Sequence, residues 1–409
     1  MIKAAKRFYH QYPKSVWNMT FILFLLVLRK TLLNTMRDST AVIVDSNSSL
    51  GVIVIVSMFL YLMVHNTMVK NVYVQGKSFA NYCILALLSV LWASNYGYIL
   101  YKGVEVLLSY MLICLAIYKI NDLRKAIIYT LFLCTMISIV DYCYHFRFFH
   151  SFIMHTNTYT ISSMIGGLIC LGLIRMKTHT FKQLNYCIFI NGFILISGTS
   201  SASYISAIGG AFVLFSITKK KIHWGFLIIM LAIIYILGDY ILPLVSDYIF
   251  YGHSVRDIQT GTGREYIWKA AIESWKEAPM LGKGYAVGEK SLFEEDGTIV
   301  YRSTHNGILS VMVNTGLVGL FLFFNAIYKW FYFTIRKMKT NSYAVAIFPA
   351  MVGAFINILS CPVLGSDWYP QSLCYYALMA IAFIYFSPSS KLSSVRNVLF
   401  SSISRTRIV

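Results

Sequence analysis

Two adjacent polar residues, His305 and Asn306, stand directly before an apolar stretch that is long enough to form a membrane helix. A histidine changes charge near neutral pH, so it can accept a proton from a hydroxyl nucleophile or hold that hydroxyl in place. The alternative is that the pair only anchors the end of the helix at the membrane interface. Position alone leaves both interpretations open.

A second candidate, Arg264, opens a segment with helical periodicity. The free amides and the dipole at the start of a helix favour an anion, and the planar guanidinium fits a phosphate better than an ammonium does. A solvated or headgroup-paired cation is the alternative. Because His305 and Arg264 could serve a hydroxyl and a phosphate respectively, we take both as candidate catalytic residues.

The segment that follows Arg264 is predicted to be an amphipathic helix. Its apolar stripe includes Ile267, Ala271 and Trp275, spaced four residues apart, while charged residues occupy the opposite face. Thr260 or Thr262 is the expected N-cap, and the helix should end before Pro279 and Gly282. We expect this helix to lie at the outer interface, with its tryptophans at headgroup depth. The glycine-rich run after it, residues 280–290, is expected to fold back toward the same face.

Further cationic side chains could add positive charge to the same outer surface. Lys283 and Arg302 lie in the same loop, and Arg147 lies in a loop rich in histidine. Contact with anionic lipid is the competing interpretation for Lys283 and Arg302. The histidine spacing around Arg147 matches no zinc pattern. We therefore predict neither a metal nor another cofactor.

The composition indicates a membrane protein. Of 409 residues, 57% are hydrophobic and only 12% are charged, against roughly 25% charged in soluble proteins. The apolar runs are too long and too unalternating for outer-membrane strands. We predict an all-α integral membrane protein with about 12 transmembrane helices.

A large extracytoplasmic loop is expected between helices 9 and 10. The predicted division is transmembrane helices 1–9 in residues 1–242, the loop with its amphipathic helix in residues 243–306, and helices 10–12 with a cytoplasmic tail in residues 307–409. One predicted span covers residues 82–101, and Lys70 and Lys77 are assigned to the inner loop before it. Glu105, Asp141 and Asp239 lie near span ends, where solvation at the interface is the expected explanation.

The net charge of +19 does not point to nucleic acid. Most of the cations fall in the short loops of one side, as the positive-inside rule requires of cytoplasmic loops. Both termini are therefore predicted to be cytoplasmic. The eight cysteines are isolated, and we expect them to be small buried apolar residues rather than metal ligands.

Two sequence motifs surround the candidate residues His305 and Arg264. His305 and Asn306 are followed by nine residues and then by Gly316 and Gly319. An upstream run contains Gly263, Arg264, Trp268, Pro279, Gly282 and Gly284. Together the two motifs resemble those of the O-antigen ligase and polymerase superfamily. The number of spans and the outer loop fit the same architecture.

This resemblance implies a metal-independent glycosyltransferase of the bacterial inner membrane. The donor would be a glycan on undecaprenyl pyrophosphate, and the acceptor would be a glycan or the lipid A core at the extracytoplasmic face. The family pattern makes His305 the acceptor group and Arg264 a pyrophosphate contact. It also suggests Arg147, Asn157 and Arg37 as substrate contacts, beside Asn306, Lys283 and Arg302.

One departure from the family pattern bears on the choice of reaction. Many members, ligases especially, have Ser-Arg where this chain has Ser200-Ser201. We therefore predict a polymerase of lipid-linked repeat units first, an O-antigen ligase second and a lipid-linked oligosaccharide transporter third. Membrane lipid is an expected partner, together with a chain-length regulator and a flippase.

Overall fold

A computed structural model describes residues 10–36, 46–147, 157–178, 182–198, 200–218, 264–292, 294–295, 298–299, 303–365 and 369–388. These residues form twelve α-helices and one antiparallel pair of two-residue strands. The helices are α1 Lys14–Met36, α2 Ser46–Val64, α3 Asn66–Leu88, α4 Tyr96–Lys119, α5 Leu123–Arg147, α6 Asn157–Arg175, α7 Lys182–Ser197, α8 Ser201–Thr218, α9 Arg264–Glu277, α10 Gly307–Met338, α11 Ser342–Ile358 and α12 Ser372–Ile381. The strands are β1 Glu294–Glu295 and β2 Thr298–Ile299.

The lengths and composition of the helices fit a multi-pass membrane protein. Six of them (α3, α4, α5, α6, α8 and α10) are long and apolar enough to cross a bilayer, and four more apolar helices are shorter. The predicted helical fold is confirmed, and the number of transmembrane helices stays a prediction. Residues 219–242, the last part of the predicted helices 1–9, lie outside the described residues, as do Asp239 and the predicted caps Thr260 and Thr262.

Helix packing depends on small residues at several interfaces. Helix α11 packs against α6 and α8, while α6 also contacts α5 and α7. Ser206 and Gly210 of α8 are buried, as the run of small residues in this segment predicts for close helix approach. On the other side, α3 packs between α4 and α10. Helix α10 therefore lies where the two groups of helices meet.

The predicted span at residues 82–101 is wrong in its boundaries. Helix α3 ends at Leu88, a short 3₁₀ turn follows, and α4 begins at Tyr96 with Asn95 as its N-cap. Averaged hydropathy cannot detect a break between two apolar helices. The capping residue was the available signal: the Asn95 side chain accepts a hydrogen bond from the amide of Tyr98 at 3.2 Å. Lys70 and Lys77 consequently lie inside α3 rather than in a loop.

The amphipathic helix is confirmed as α9. Ile267 and Ala271 are buried, and the helix contacts α10. On its exposed face, Lys269 pairs with Glu265 at 2.8 Å. Two of the three residues of the predicted stripe therefore pack against protein, while Trp275 stays partly exposed. The indole of Trp275 donates a hydrogen bond to the carbonyl of Pro279 at 3.1 Å.

Helix α10 is broken at Gly316, which has φ +62° and ψ −162°. The turn at residues 278–284, which follows α9, fits into this break. The amides of Lys283 and Gly284 donate to the carbonyls of residues 313 and 314, both at 2.9 Å. The glycine-rich run thus folds back onto α10, close to the start of that helix.

Candidate functional site

His305 lies in a short junction that leads into α10. Its backbone φ is +49°, a left-handed conformation that is uncommon outside glycine, although histidine adopts it more often than most residues. Such a conformation costs on the order of 1–3 kcal/mol and persists only where the surroundings enforce it. The His305 amide donates to Ser303 Oγ at 3.2 Å, and the residue is half-buried.

Asn306 caps the first turn of α10. Its side-chain oxygen accepts hydrogen bonds from the amides of Ile308 at 2.9 Å and Leu309 at 3.1 Å. An asparagine cap of this kind satisfies amides that have no partner inside the helix. Asn306 therefore fixes where the helix begins and, with it, where His305 stands.

Helix α9 is attached beside the same junction. The indole of Trp268 donates a hydrogen bond to the carbonyl of Thr304, the residue before His305, at 3.0 Å. Arg264 is the first residue of α9 and is half-buried. Because Trp268 lies one turn from Arg264, this bond brings the start of α9 to the His305 junction.

Cys361, in the segment after α11, is the point on which several site residues converge. The Asn157 amide donates to its Sγ at 3.3 Å, and Ser200 Oγ donates to Asn157 Oδ1 at 2.5 Å. Burial raises the pKa of the Cys361 thiol to about 12, while the nearby positive charge of Arg264 acts in the opposite direction. A protonated thiol that contacts the Asn157 side chain and lies within the electrostatic influence of Arg264 is therefore part of the site wall at neutral pH.

Gly307, at the start of α10, lies close to Cys361 and the residues around it. A Cβ built at Gly307 would lie 2.8 Å from Cγ2 of Ile358 and 3.5 Å from the carbonyl oxygen of Cys361. The structure thus brings four predicted residues, His305, Asn306, Arg264 and Asn157, to one region.

Lys283 is not brought to that region. Its Nζ pairs with Glu277 Oε2 at 2.7 Å, at the opposite end of α9 from Arg264. A helix of 14 residues is roughly 20 Å long at about 1.5 Å per residue. Arg302 and Arg37 lie outside the described residues, as does the side chain of Arg147, whose backbone ends α5.

A buried carboxylate, Glu289, was not among the predicted site residues. It is 1% exposed and accepts hydrogen bonds from Ser303, Thr304 and Ser310. The available sequence signal was a single acidic residue in the glycine-rich run of residues 280–290. A buried charge needs partners to compensate for lost hydration, and the residues around His305 supply them.

A second charged group lies in the helices. Glu105 is fully buried and bonds Arg29 through one oxygen and Lys102 through the other, both at 3.0 Å. The expectation that Glu105 is solvated at the interface is therefore wrong, because its charge is compensated inside the protein; Asp141 is likewise fully buried. Lys290 Nζ donates to the hydroxyl of Tyr98 at 2.5 Å, and Lys102 Nζ lies 5.7 Å from the centre of the same ring.

Part of this chain is similar in sequence to known proteins. A family model described as O-antigen ligase matches residues 186–324. The chain is also similar to a Rickettsia typhi protein, 23% identical over 205 residues, and to a Rickettsia felis protein, 22% identical over 208 residues. Both carry the provisional name polysaccharide ligase.

The similarity to these relatives is partial. Each alignment covers 46% of this chain and 49% of the relative, so the chain spans about half the length of the curated relatives it matches. The family match includes Arg264, Glu289 and His305. Together these findings confirm the predicted resemblance to the O-antigen ligase and polymerase superfamily.

Proposed function

We propose that this chain is an O-antigen ligase-type glycosyltransferase, which moves a glycan from undecaprenyl pyrophosphate to a hydroxyl of an acceptor such as the lipid A core. The observation that carries the proposal is the family match over residues 186–324, which includes both His305 and Arg264. The convergence of Arg264 and Asn157 on Cys361, next to the start of α10, supports it.

The reaction joins the acceptor oxygen to the anomeric carbon of the donor sugar. As that bond forms, the bond from the anomeric carbon to the phosphate oxygen breaks, and undecaprenyl pyrophosphate leaves with the electron pair. His305 binds the acceptor hydroxyl or takes its proton, which then passes to water. A positioned base contributes about 10²–10⁴-fold to such a reaction.

Arg264 acts on the leaving group. Negative charge grows on the pyrophosphate as the sugar departs, and a fixed cation stabilises that charge without reorganising. The exposed amides at the start of α9 add to the positive potential. We assign Arg147, Arg302 and Arg37 as further candidate contacts for the same phosphates, so that the reaction proceeds without a metal.

The membrane arrangement is part of the proposal. About twelve helices would span the inner membrane, with both termini in the cytoplasm and the site at the extracytoplasmic face. There the polyprenyl chain of the donor can remain in lipid while the acceptor hydroxyl approaches from water. A flippase would deliver the donor, and a chain-length regulator would set the size of the polymer.

Polymerisation of lipid-linked repeat units is the second candidate. It is favoured by Ser201, which stands where many ligases have arginine. The names of the two relatives favour the ligase, and so we reverse the order that the sequence suggested. The two reactions share a donor and differ in the acceptor.

The experiment is a deletion strain whose surface glycans and lipid-linked glycans are separated on gels. A ligase predicts full-length polymer on the lipid carrier and none on the acceptor. A polymerase predicts single repeats on the acceptor and no ladder. Accumulation of lipid-linked repeats only on the cytoplasmic face would indicate a transporter and contradict a transferase.

Point variants then test the site. Expression of His305→Ala or Arg264→Gln should leave the deletion phenotype in place at normal protein level in the membrane. His65→Ala is the matched control, because His65 lies in the turn between α2 and α3, outside the site. Normal surface polymer in the His305→Ala strain would contradict the assigned site.

A further inference from the structure

The carboxylate of Glu289 is bonded on both of its oxygens to residues that flank His305. Oε1 accepts from Ser303 Oγ at 3.1 Å, from the Thr304 amide at 2.5 Å and from Thr304 Oγ1 at 2.8 Å. Oε2 accepts from Ser310 Oγ at 2.9 Å. One buried side chain therefore holds the chain immediately before His305 and the first turn of α10 after it.

The backbone of Glu289 is fixed as well. Its amide donates to Asn314 Oδ1 at 3.0 Å. Asn314 in turn donates through Nδ2 to Ser310 Oγ at 3.2 Å and to the carbonyl of Gly365 at 3.0 Å. Because Asn314 is fully buried, the carboxylate is presented from a rigid support in α10 and not from a free loop.

This arrangement suits an ionised carboxylate. The Thr304 amide can only donate, and the surrounding hydroxyls are oriented to donate as well. Hydrogen bonds to a charged acceptor are roughly twice as strong as neutral ones. They act on the segment whose next residue, His305, has a φ of +49°, a conformation that its surroundings must enforce.

We propose that Glu289 is a positioning residue: it holds His305 in the orientation in which the imidazole meets the acceptor hydroxyl, without contacting the substrate itself. The inference rests on the proposed function, because it needs His305 to act on the acceptor. It assigns to Glu289 a contribution to the rate of transfer that is separate from a contribution to folding.

The test compares Glu289→Gln with wild type in the purified full chain, using lipid-linked glycan extracted from the deletion strain as donor. Glutamine keeps the shape and can still accept from the Thr304 amide, so the fold should survive. A misplaced reacting group costs up to roughly 10²-fold in rate. We expect kcat to fall by about tenfold to 10²-fold, with little change in KM for the acceptor.

A second readout does not depend on activity. Diethyl pyrocarbonate acylates exposed imidazole, and mass spectrometry of the peptide that contains His305 gives the rate at that residue. Glu289→Gln should change this rate. Glu273→Gln, an exposed acidic residue on α9 that pairs with Lys276, is the matched control and should change neither readout.

If Glu289→Gln fails to fold, Thr304→Val removes the hydroxyl bond to Oε1 without removing a charge, and it should shift both readouts in the same direction. A normal kcat for Glu289→Gln beside an inactive His305→Ala enzyme would overturn the positioning role and leave the proposed function standing. A rise in KM alone would overturn it too, since that indicates substrate contact. Full activity of His305→Ala would instead overturn the proposed function.

Discussion

Arg264 combines two sources of positive potential at one point. Its guanidinium carries a permanent charge, and the first turn of α9 presents amides that are not bonded within the helix. Half-burial reduces the screening of that charge by water and salt. An arginine here can therefore hold two phosphate oxygens at once, which a lysine cannot do in the same geometry.

Replacement of Arg264 separates charge from geometry. Arg264→Gln removes both and should lower kcat/KM by roughly 10²–10³-fold, the usual effect of losing one transition-state contact. Arg264→Lys keeps the charge, and its kcat/KM in steady-state transfer assays should lie between those of Arg264→Gln and wild type. Lys269→Gln, on the exposed face of the same helix, is the control and should resemble wild type. Equal activity of the lysine and arginine enzymes would show that the planar fork has no role.

Residue types pointed to part of the candidate site without knowledge of the fold. His305 and Arg264 were predictable because their side chains suit a hydroxyl and a phosphate, and both stand at helix starts. Glu289 was not, because its contacts to Ser303, Thr304 and Ser310 depend on how the turn after α9 folds back. Asn306 was predicted as a substrate contact, whereas its side-chain oxygen caps α10.

The break in α10 is built from two segments that complete each other. In a continuous helix the amides of Leu317 and Val318 would bond the carbonyls of residues 313 and 314. Here these amides donate instead to Pro279 and Met280, at 2.9 and 3.1 Å, while the turn supplies donors to the two carbonyls. Two hydrogen bonds within the helix are thus replaced by four hydrogen bonds between the turn and α10, which hold the turn against the helix.

Gly316→Ala should disrupt this contact between the turn and α10. The backbone angles at Gly316 belong to a region that is essentially restricted to glycine, and a Cβ there would lie 2.4 Å from the backbone of Met280. We expect a loss of about 1–3 kcal/mol in the free energy of unfolding, together with lower activity because the turn leads to Glu289. Thermal unfolding in detergent measures the loss.

The matched control for this change is Gly192→Ala in α7, where nothing lies within 4 Å of the added Cβ. Alanine in a helix is favoured over glycine by roughly 0.5–1 kcal/mol, so this variant should be neutral or slightly more stable. If Gly316→Ala behaved like Gly192→Ala, the break would be a relaxed feature rather than one that glycine alone permits.

A helix with a clear hydrophobic period was predicted well, whereas helix boundaries and breaks that depend on tertiary contacts were not. Helix α9 followed from the spacing of Ile267 and Ala271 and from Pro279 beyond its end. The boundary between α3 and α4 was missed because hydropathy is continuous across it. The break at Gly316 was also unpredictable as a break, since its hydrogen bonds come from a segment about 35 residues earlier and not from local sequence.

In the part of the chain that the structure describes, two groups of polar and charged side chains lie near the His305 junction. Arg264, Asn157 and Cys361 lie toward α6 and α11. The group of Arg29, Glu105 and Lys102 joins α1 to α4. Lys290, the residue after Glu289, and Lys102 of the second group both lie against the ring of Tyr98. The junction is therefore held between two halves of the helix bundle rather than by a single helix pair.

Glu105→Gln tests the second group. Arg29 and Lys102 are each 5% exposed and Glu105 is 0% exposed, so the substitution would leave two buried cations without the carboxylate that compensates them. Removing one partner of a buried ion pair typically costs about 3–5 kcal/mol. We expect a much lower unfolding temperature and less protein in the membrane, measured by thermal unfolding in detergent and by immunoblot.

The compensating variant defines what the group contributes. Arg29→Met, Glu105→Leu and Lys102→Met together replace all three charges by apolar side chains of similar size, and such replacements are often neutral or stabilising. If the triple variant is stable and active, the group serves only to join α1 to α4. If it is stable but inactive while His305 and Glu289 are intact, the positive field of Arg29 and Lys102 acts on the substrate, and the site extends to both halves of the bundle.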